Sequence, residues 1–459
     1  MTADGKASLQ THPALLSGWG RTAPTEAELV APLTAEDHAV ALSMESGRGV
    51  IPRGLGRGYG DCAQNSGGLV IDGPANSGIT DIDLAAGVVT AKAGTSLHEL
   101  MERLVPLGLF VPVTPGTRMV TVGGAIAADI HGKNHHRAGS WCDHLESIRL
   151  MDGNGDVLDV SPESNPEVYW ATAGGLGLTG VVLDATIRMK RITSSRLLVD
   201  TDRAVDLDDV MSLMSEGDDR YDYSVAWIDL IARGKAMGRS VLDRGRFATL
   251  EEATAAGVEA PLEFKTHQLP SPPDIVPSGL LNRASIMAFN EMWFRKAPAR
   301  RRDAMMTIEA FFHPLDMIAE WNRIYGKRGF LQWQCVVPDS ATEVIRAAVE
   351  RLSGSGTSSF LAVLKRMGPS NEGHLSFPMK GWTLALDMPV TGGLDVLLDE
   401  LDELVVGAGG RNYLVKDSRV RPELVTQMYP RLGEWQEVRA KLDPEGRFRS
   451  DMSRRLGLL

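Results

Sequence analysis

Glycine occupies four alternate positions, 54, 56, 58 and 60, in the segment Pro52-Arg-Gly-Leu-Gly-Arg-Gly-Tyr-Gly-Asp61. Alternate residues without side chains let several backbone N–H groups turn inward together as an anion nest. Arg53 and Arg57 can add charge-assisted bonds to a phosphate. No Gly-Lys-Ser/Thr follows, so the loop is not a P-loop, and the helix start and later acidic residue of a dinucleotide-binding turn are missing. The same spacing also suits a strained hairpin turn. Three further clusters narrow the choice. Thr114-Pro-Gly-Thr117 precedes Thr121-Val-Gly-Gly-Ala-Ile-Ala127, small residues where backbone must approach something flat. Asp129-Ile-His-Gly-Lys-Asn-His-His136 is dense in titrating and donating groups, and Trp170-Ala-Thr-Ala-Gly-Gly-Leu-Gly-Leu-Thr-Gly-Val181 is a last glycine turn.

Other residues are ambiguous by type. Lys365 and Lys416 read alone as solvated surface lysines, His131 as a structural histidine, and Trp227 and Trp382 as core. His135 and His136 lack a convincingly spaced third ligand, so no metal site is expected. Gln332 and Gln334 flank Trp333; on a strand both amides face one side.

The elements that must position these groups follow from local pattern. Gly68–Asp72 and Gly87–Ala91 read as short strands, and Ile148–Met151 with Val157–Val160 as a hairpin. Ser96–Leu104 reads as a helix: Ser96 and Glu99 form a capping-box pair, and Leu97, Leu100, Met101 and Leu104 share a face. Val120–Ile130 is apolar and small, and Gly180–Lys190 alternates as a strand. From about Ile192 glycine thins and Trp, Met, Phe and Arg rise. Gln268–Gly279 carries four prolines and is expected to be an irregular, mobile surface loop. Strands are predicted at Phe330–Val337, Ser359–Lys365 and Trp382–Pro389, helices at Asp339–Leu352 and Gly393–Val406, and a helical, charged C-terminal stretch from Asn412.

Composition bounds the class. The 459 residues suit two to four domains. Hydrophobic residues at 43% and charged residues at 23% exclude disorder as the main state. A net charge of −11 argues against a nucleic-acid partner. Three scattered cysteines make neither a disulfide framework nor a zinc site. No apolar run is long enough to span a bilayer, and the N-terminus lacks the basic start and apolar stretch of an export signal.

The order of glycine loop, TPGT, TVGGAIA with HGKN, and GGLGLTGVV resembles the FAD domain of the vanillyl-alcohol-oxidase superfamily. Within it the chain resembles the decaprenylphosphoryl-β-D-ribose 2′-oxidase family, flavin subunits of an epimerase that supplies cell-wall arabinan. The supporting residues are Gly18-Trp-Gly-Arg-Thr22, Ala63-Gln-Asn65, Ala226-Trp227, His313-Pro-Leu-Asp316, Leu331-Gln-Trp-Gln334, Leu375-Ser-Phe-Pro378, Val415-Lys-Asp-Ser-Arg419 and Ser450-Asp-Met-Ser-Arg-Arg455. They run through the whole chain. The resemblance implies an α+β fold: a two-part FAD domain of the vanillyl-alcohol-oxidase/PCMH type with an inserted α+β substrate domain on an antiparallel sheet. The expected division is 1–193 for the first part of the FAD domain, 194–408 for the substrate domain and 409–459 for the return.

By the same resemblance, Pro52, Arg53, Gly54, Leu55, Gly56, Arg57, Gly58, Tyr59, Gly60, Asp61 and Cys62 wrap the FAD diphosphate. Gly116, Thr121, Val122, Gly123, Gly124, Ala128, Asp129, Ile130 and His131 line the flavin, Val182 lies toward the adenine, and Tyr413 touches the cofactor from the return. Covalent members usually carry a histidine in the first loop; Gly58-Tyr59-Gly60 holds none, so dissociable FAD is expected. The implied reaction oxidises the ribose 2′-hydroxyl to a ketone. Lys416 is the first candidate to take or neutralise the hydroxyl proton, as base or as cation, with His131 and Lys133 as helpers. Tyr59, Trp227, Gln332, Gln334, Lys365, Thr383, Ala385 and Lys416 are expected around the substrate. Mycobacterial members carry a cysteine where Ala385 stands and an asparagine where Thr383 stands. The resemblance further implies a polyprenyl-phosphoribose substrate and a short-chain reductase partner. It implies work at a membrane surface, on the periplasmic face or else the cytoplasmic one. The Glu291–Arg302 patch, EMWFRKAPARRR, is a candidate lipid contact. An oxygen-using sugar, alditol or aldonolactone oxidase and a silent flavin or lipid carrier are the competing readings.

Overall fold

The computed structural model describes residues 9–44, 47–277, 279–357 and 359–459. Residues 1–8, read above for an export signal, and Ser278 of the proline-rich segment lie outside them.

Among the described residues, two small sheets, with a short two-stranded ladder of Leu109–Phe110 and Lys190–Arg191, build the amino-terminal half. The first has four strands in the order Thr11–Leu16, Thr25–Val30, Leu69–Asp72 and Val50–Arg53. Val50–Arg53 runs parallel to Leu69–Asp72, so the glycine loop leaves the C-terminal end of a parallel strand. The second is antiparallel, in the order Ile79–Asp83, Val88–Lys92, Val181–Arg188, Leu145–Met151 and Val157–Val160. The expected hairpin is there, with Ile148 opposite Val160 and Met151 opposite Val157. The helix Leu97–Leu104 has the anticipated capping box, Glu99 Oε2 accepting from the Ser96 amide at 2.7 Å. Its stripe Leu97, Leu100, Met101 and Leu104 is fully buried, each side chain contributing roughly 1.5–3 kcal/mol. The small-residue stretch forms the helix Val122–Ala127, capped by Thr121 Oγ1, which accepts from the Gly124 amide at 3.1 Å.

The second half is built on one eight-stranded antiparallel sheet. Its order is Arg300–Thr307, Arg196–Ala204, Ser240–Phe247, Tyr223–Ile228, Ala362–Met367, Gly381–Pro389, Phe330–Pro338 and Arg411–Asn412. Helices Thr342–Ser355 and Leu394–Gly407 cover one face through Ile345, Val349, Leu398 and Leu401. The strand expected at Ser359–Lys365 starts three residues later, because Ser359 Oγ turns back to the Leu361 carbonyl. The expected helix over Asp339–Leu352 begins at Thr342 after one 3-10 turn. The proline-rich segment contains no strand or helix among its described residues, and Leu269 is tied to Ile318 by an isolated bridge. Among the described residues no helix is long and apolar enough to cross a membrane.

The return serves both halves. Arg411 and Asn412 extend the large sheet against Val336 and Cys335. The helices Pro422–Met428, Leu432–Leu442 and Asp451–Leu456 then bury Val425, Trp435 and Met452 with Ile51, Val70 and Ala171 of the first half.

Candidate functional site

A cavity of about 620 Å³ opens between the glycine loop, the helix Val122–Ala127 and the inner face of the large sheet, a size typical of cofactor sites. The glycine loop is pinned from both sides by backbone. Gly58 and Tyr59 carbonyls accept from Trp19 and Gly20, and the Tyr59 amide donates to Val415 at 3.0 Å. Chain crowding explains two of the glycines. A Cβ on Gly60 would lie 1.8 Å from the Asp417 carbonyl oxygen, and one on Gly54 would lie 2.4 Å from Thr121 Oγ1. Among the described residues, the amides of Leu55, Gly56, Arg57 and Gly58 donate to no protein acceptor. Arg57 lies 3.7 Å above the Trp19 ring with a buried Nε that has no partner. Free donors in a side-chain-poor cradle fit a diphosphate. Gly116 meets nothing within 4 Å where a Cβ would stand, leaving room for something flat. FAD therefore fits the residues present.

Pro52, Gly54 to Tyr59, Cys62, Gly116, Thr121, Gly124, Ala128, Ile130, His131 and Tyr413 all line the cavity. The remaining residues assigned to the cofactor stand outside its lining. Arg53 spends its guanidinium on the Ala63 and Ser17 carbonyls, at 2.9 and 2.7 Å, so it braces the loop instead of facing a phosphate. Asp61 pairs with Arg455 at 2.7 Å. Asp129 accepts from Ser376 Oγ, Asn371 Nδ2 and the Cys142 amide. Val122 and Gly123 pack inside the helix turn, Gly60 is jammed against Asp417, and Val182 is paired with Leu150 in the second sheet.

The end of the cavity toward the large sheet gathers Lys133, Lys365 and Lys416. Lys365 Nζ lies 3.3 Å from His131 Nδ1, and Gln334 Nε2 lies 3.0 Å from His131 Nε2. Lys416 Nζ sits 4.0 Å from the Tyr59 ring centroid. Lys133 donates to the Phe311 carbonyl and lies 4.3 Å above the Phe311 ring. Burial lowers every one of these bases: Lys365 to about 7 with help from Lys133 and Lys416, Lys133 to about 8, and Lys416 to about 8 despite the opposing pull of Asp387. Burial and the neighbouring lysines hold His131 well below the usual imidazole range, so it is neutral. His135 accepts from the Gly368 amide and His136 bonds the Asp218 and Tyr221 carbonyls, so both are engaged in backbone contacts.

Trp227, Gln332, Gln334, Lys365, Ala385 and Lys416 also line the cavity. Thr383 does not. It stands one layer behind, its Oγ1 3.2 Å from Gln334 Nε2. Sequence reasoning missed Asp387, a buried carboxyl that accepts from Gln332 and is pushed up to about 7 by burial. It lies on the strand of Ala385 with the same two-residue spacing as the glutamines opposite, the one signal that pointed to it. Also missed was Asp243, which counters Lys133 from a strand of unremarkable sequence.

Comparison with known proteins agrees with this geometry. Residues 28–161 match the model of an FAD binding domain, and residues 395–456 match that of D-arabinono-1,4-lactone oxidase. The chain is 46% identical over 449 residues to decaprenylphosphoryl-β-D-ribose oxidase of Mycolicibacterium smegmatis, covering 97% of each chain. It is 42% identical over 374 residues to an uncharacterized protein of Streptomyces coelicolor, covering 79% of this chain and all of that one. It is 31% identical over 173 residues to L-gulonolactone oxidase of Scyliorhinus torazame, covering 37% and 39%. The chain belongs to the decaprenylphosphoryl-β-D-ribose oxidase family of FAD-dependent oxidoreductases.

Proposed function

We propose that the protein oxidises the 2′-hydroxyl of a polyprenylphosphoryl-β-D-ribose to the 2′-ketone, the first half of an epimerisation to the arabinose configuration. The observation that carries this reading is the convergence of Lys133, Lys365 and Lys416 with His131 and Gln334 at one end of a cavity lined by an FAD-type glycine loop. Three amines and two amides around one space suit the hydroxyls of a sugar. Bound FAD supplies a hydride acceptor for the carbinol C–H bond. The protein's part is to hold the sugar, exclude water and manage the hydroxyl proton. Lys416, facing the Asp387 carboxyl, acts as the cation beside the developing oxygen charge. Gln332 is oriented by Asp387, and Trp227 by its indole bond to the Phe360 carbonyl at 3.1 Å. Tyr59 stands in the loop where covalent flavoproteins carry histidine, so the FAD is released by acid precipitation.

The same reading divides the chain into the two-part FAD domain, 1–193 with 409–459, and the inserted substrate domain, 194–408. It brings in a short-chain reductase as partner and places the protein at a membrane of the cell envelope, on the periplasmic face. The cavity's mouth supports the lipid contact. Trp293, Lys296 and Arg301 line it and are exposed. Arg295 and Arg302 are committed to Glu291 and Asp202, so the patch presents fewer free cations than its sequence suggests.

The match to D-arabinono-1,4-lactone oxidase keeps an oxygen-using sugar oxidase as a second reading, but it covers the return with Tyr413 and Lys416 and none of the glutamine strand. Anaerobic bleaching of the FAD by a farnesylphosphoryl-ribose analogue tests the proposal. Bleaching by that compound and not by free alditols is expected. Peroxide production from alditols, with no response to the lipid sugar, would reject it.

A further inference from the structure

The tautomer of His131 follows from its neighbours. Thr383, fully buried, lies 2.7 Å from the Cys335 carbonyl oxygen and gives it the hydroxyl proton. Thr383 Oγ1 is then left to accept, so the Gln334 atom 3.2 Å away is the amino nitrogen. That nitrogen is also 3.0 Å from His131 Nε2, and its second proton points at the ring. His131 Nε2 is thereby the unprotonated nitrogen, and a neutral ring carries its proton on Nδ1. Lys365 Nζ, 3.3 Å from Nδ1, must accept that proton's hydrogen bond. An ammonium has no lone pair; a neutral amine does.

A count of charges agrees. The groups facing Lys365 are His131, Lys133 and His135 from one segment and Lys416 from the return. Asp243 counters Lys133 and Asp387 counters Lys416, while no carboxylate among the described residues counters Lys365.

We propose that Lys365, held as a neutral amine by the chain Cys335–Thr383–Gln334–His131, is the group that takes the proton of the substrate hydroxyl. The step rests on the function proposed above. The carbinol C–H bond breaks and its electron pair leaves with the hydrogen to FAD. The O–H bond breaks, its electron pair closes the C=O bond, and its proton joins the single Lys365 lone pair, which turns about the Cε–Nζ bond from His131 Nδ1–H to the substrate hydroxyl as the proton moves. Lys416 remains the cation. Thr383, Gln334 and His131 are positioning residues. Both amide hydrogens of Gln334 are engaged, which leaves Oε1 as its contribution to the cavity. The lowering of Lys365 to about 7 keeps a large share of it unprotonated at neutral pH.

The first test is the nitrogen NMR of FAD-loaded, histidine-labelled protein at pH 7.5, with His131→Gln to assign the ring. Protonated Nδ1 and bare Nε2 are expected in the wild type and in Thr383→Ser. Thr383→Val frees Gln334 to turn over and moves the ring toward Nε2–H. The second test is anaerobic FAD reduction by the ribose analogue across pH. Lys365→Met should lose at least about 100-fold, the usual worth of a general base. Thr383→Val should move the acid limb of the rate to higher pH, and Thr383→Ser should restore it. A wild-type ring protonated on Nε2, or a Lys365→Met rate within tenfold of wild type, overturns the proposal. A wild type that no such analogue reduces rejects the functional reading and the proton step with it, while the tautomer measurement still decides the hydrogen-bond chain.

Discussion

Gly60 and Gly116 are required for opposite reasons, and alanine at each separates them. A Cβ at Gly60 would stand 1.8 Å from the Asp417 carbonyl oxygen, where contacts below 3.0 Å are essentially never tolerated. The loop and the return must therefore part by more than an ångström. That separation breaks the Tyr59 amide bond to Val415 and disturbs the Arg455 contacts with Asp61 and Asp417. A buried donor left unpaired costs about 1–3 kcal/mol, and loosening a largely buried ion pair adds about 2 kcal/mol, somewhat below the fully buried case. Gly60→Ala should thus cost roughly 3–5 kcal/mol of a total of about 5–15 kcal/mol, seen as a lower thermal midpoint of FAD-free protein. At Gly116 a Cβ meets nothing within 4 Å. Gly116→Ala should leave the FAD-free midpoint unchanged or raise it slightly, since alanine restricts the unfolded chain. It should still weaken FAD by about 1–3 kcal/mol, roughly fivefold to 150-fold, because the methyl fills cofactor space. Equal midpoints for Gly60→Ala and wild type, or full FAD affinity in Gly116→Ala, would refute this division of labour.

Three other outcomes are expected. In Asp387→Asn, Lys416 loses the carboxylate that raises its pKa, now about 8, so its charge is lost at lower pH; the alkaline limb of kcat, which falls as Lys416 deprotonates, should move down. Nitroaromatic compounds that trap a cysteine should leave no adduct on the Gly381–Pro389 strand by mass spectrometry, because Ala385 faces the cavity there, while burial pushes the thiol of Cys62, the cysteine that does line it, up to about 11; Ala385→Cys should gain an adduct. Arg455→Met should cost about 2–4 kcal/mol in urea unfolding, reduced from the buried-pair value because the arginine is 26% exposed while Asp417 is 4% exposed.

Much of this was legible in the sequence where chemistry is local. The Ser96–Glu99 capping box and the four-residue apolar stripe specify their helix without help from the rest of the chain. The glycine loop was legible as an anion cradle because missing side chains are visible in sequence, whereas the direction of a side chain is not. Arg53 reads as a phosphate ligand by type, yet its guanidinium finds two backbone carbonyls nearer than any ligand. Thr383 and Ala385 share strand parity, but the Cys335 carbonyl holds the threonine one layer back. Asp243 was illegible, and Asp387 showed only through its spacing from Ala385, because a carboxyl becomes notable only when buried beside a lysine brought in by a distant turn.

Lys416 owes its position to three separate bodies. The preceding Tyr413 bonds the Ala128 carbonyl at 2.7 Å, fixing one end of the turn to the flavin-side helix. Arg419 reaches Asp402 at 2.7 Å and also Asp399, fixing the other end to the helix behind the large sheet. Arg455 joins Asp417 to Asp61 of the glycine loop. A turn tied to both halves of the chain has no defined place until both have folded and docked. The lysine therefore reports on assembly as well as chemistry: loss of any one tie lets the ammonium drift from Asp387 and Tyr59. Because Asp402 itself bonds Trp333 Nε1 at 2.8 Å, between the two glutamines, the same anchor sets the strand that holds the sugar and the turn that carries the charge. This coupling explains in physical terms why the Gln332–Gln334 strand and the Lys416–Arg419 segment, more than 80 residues apart, belong to one site.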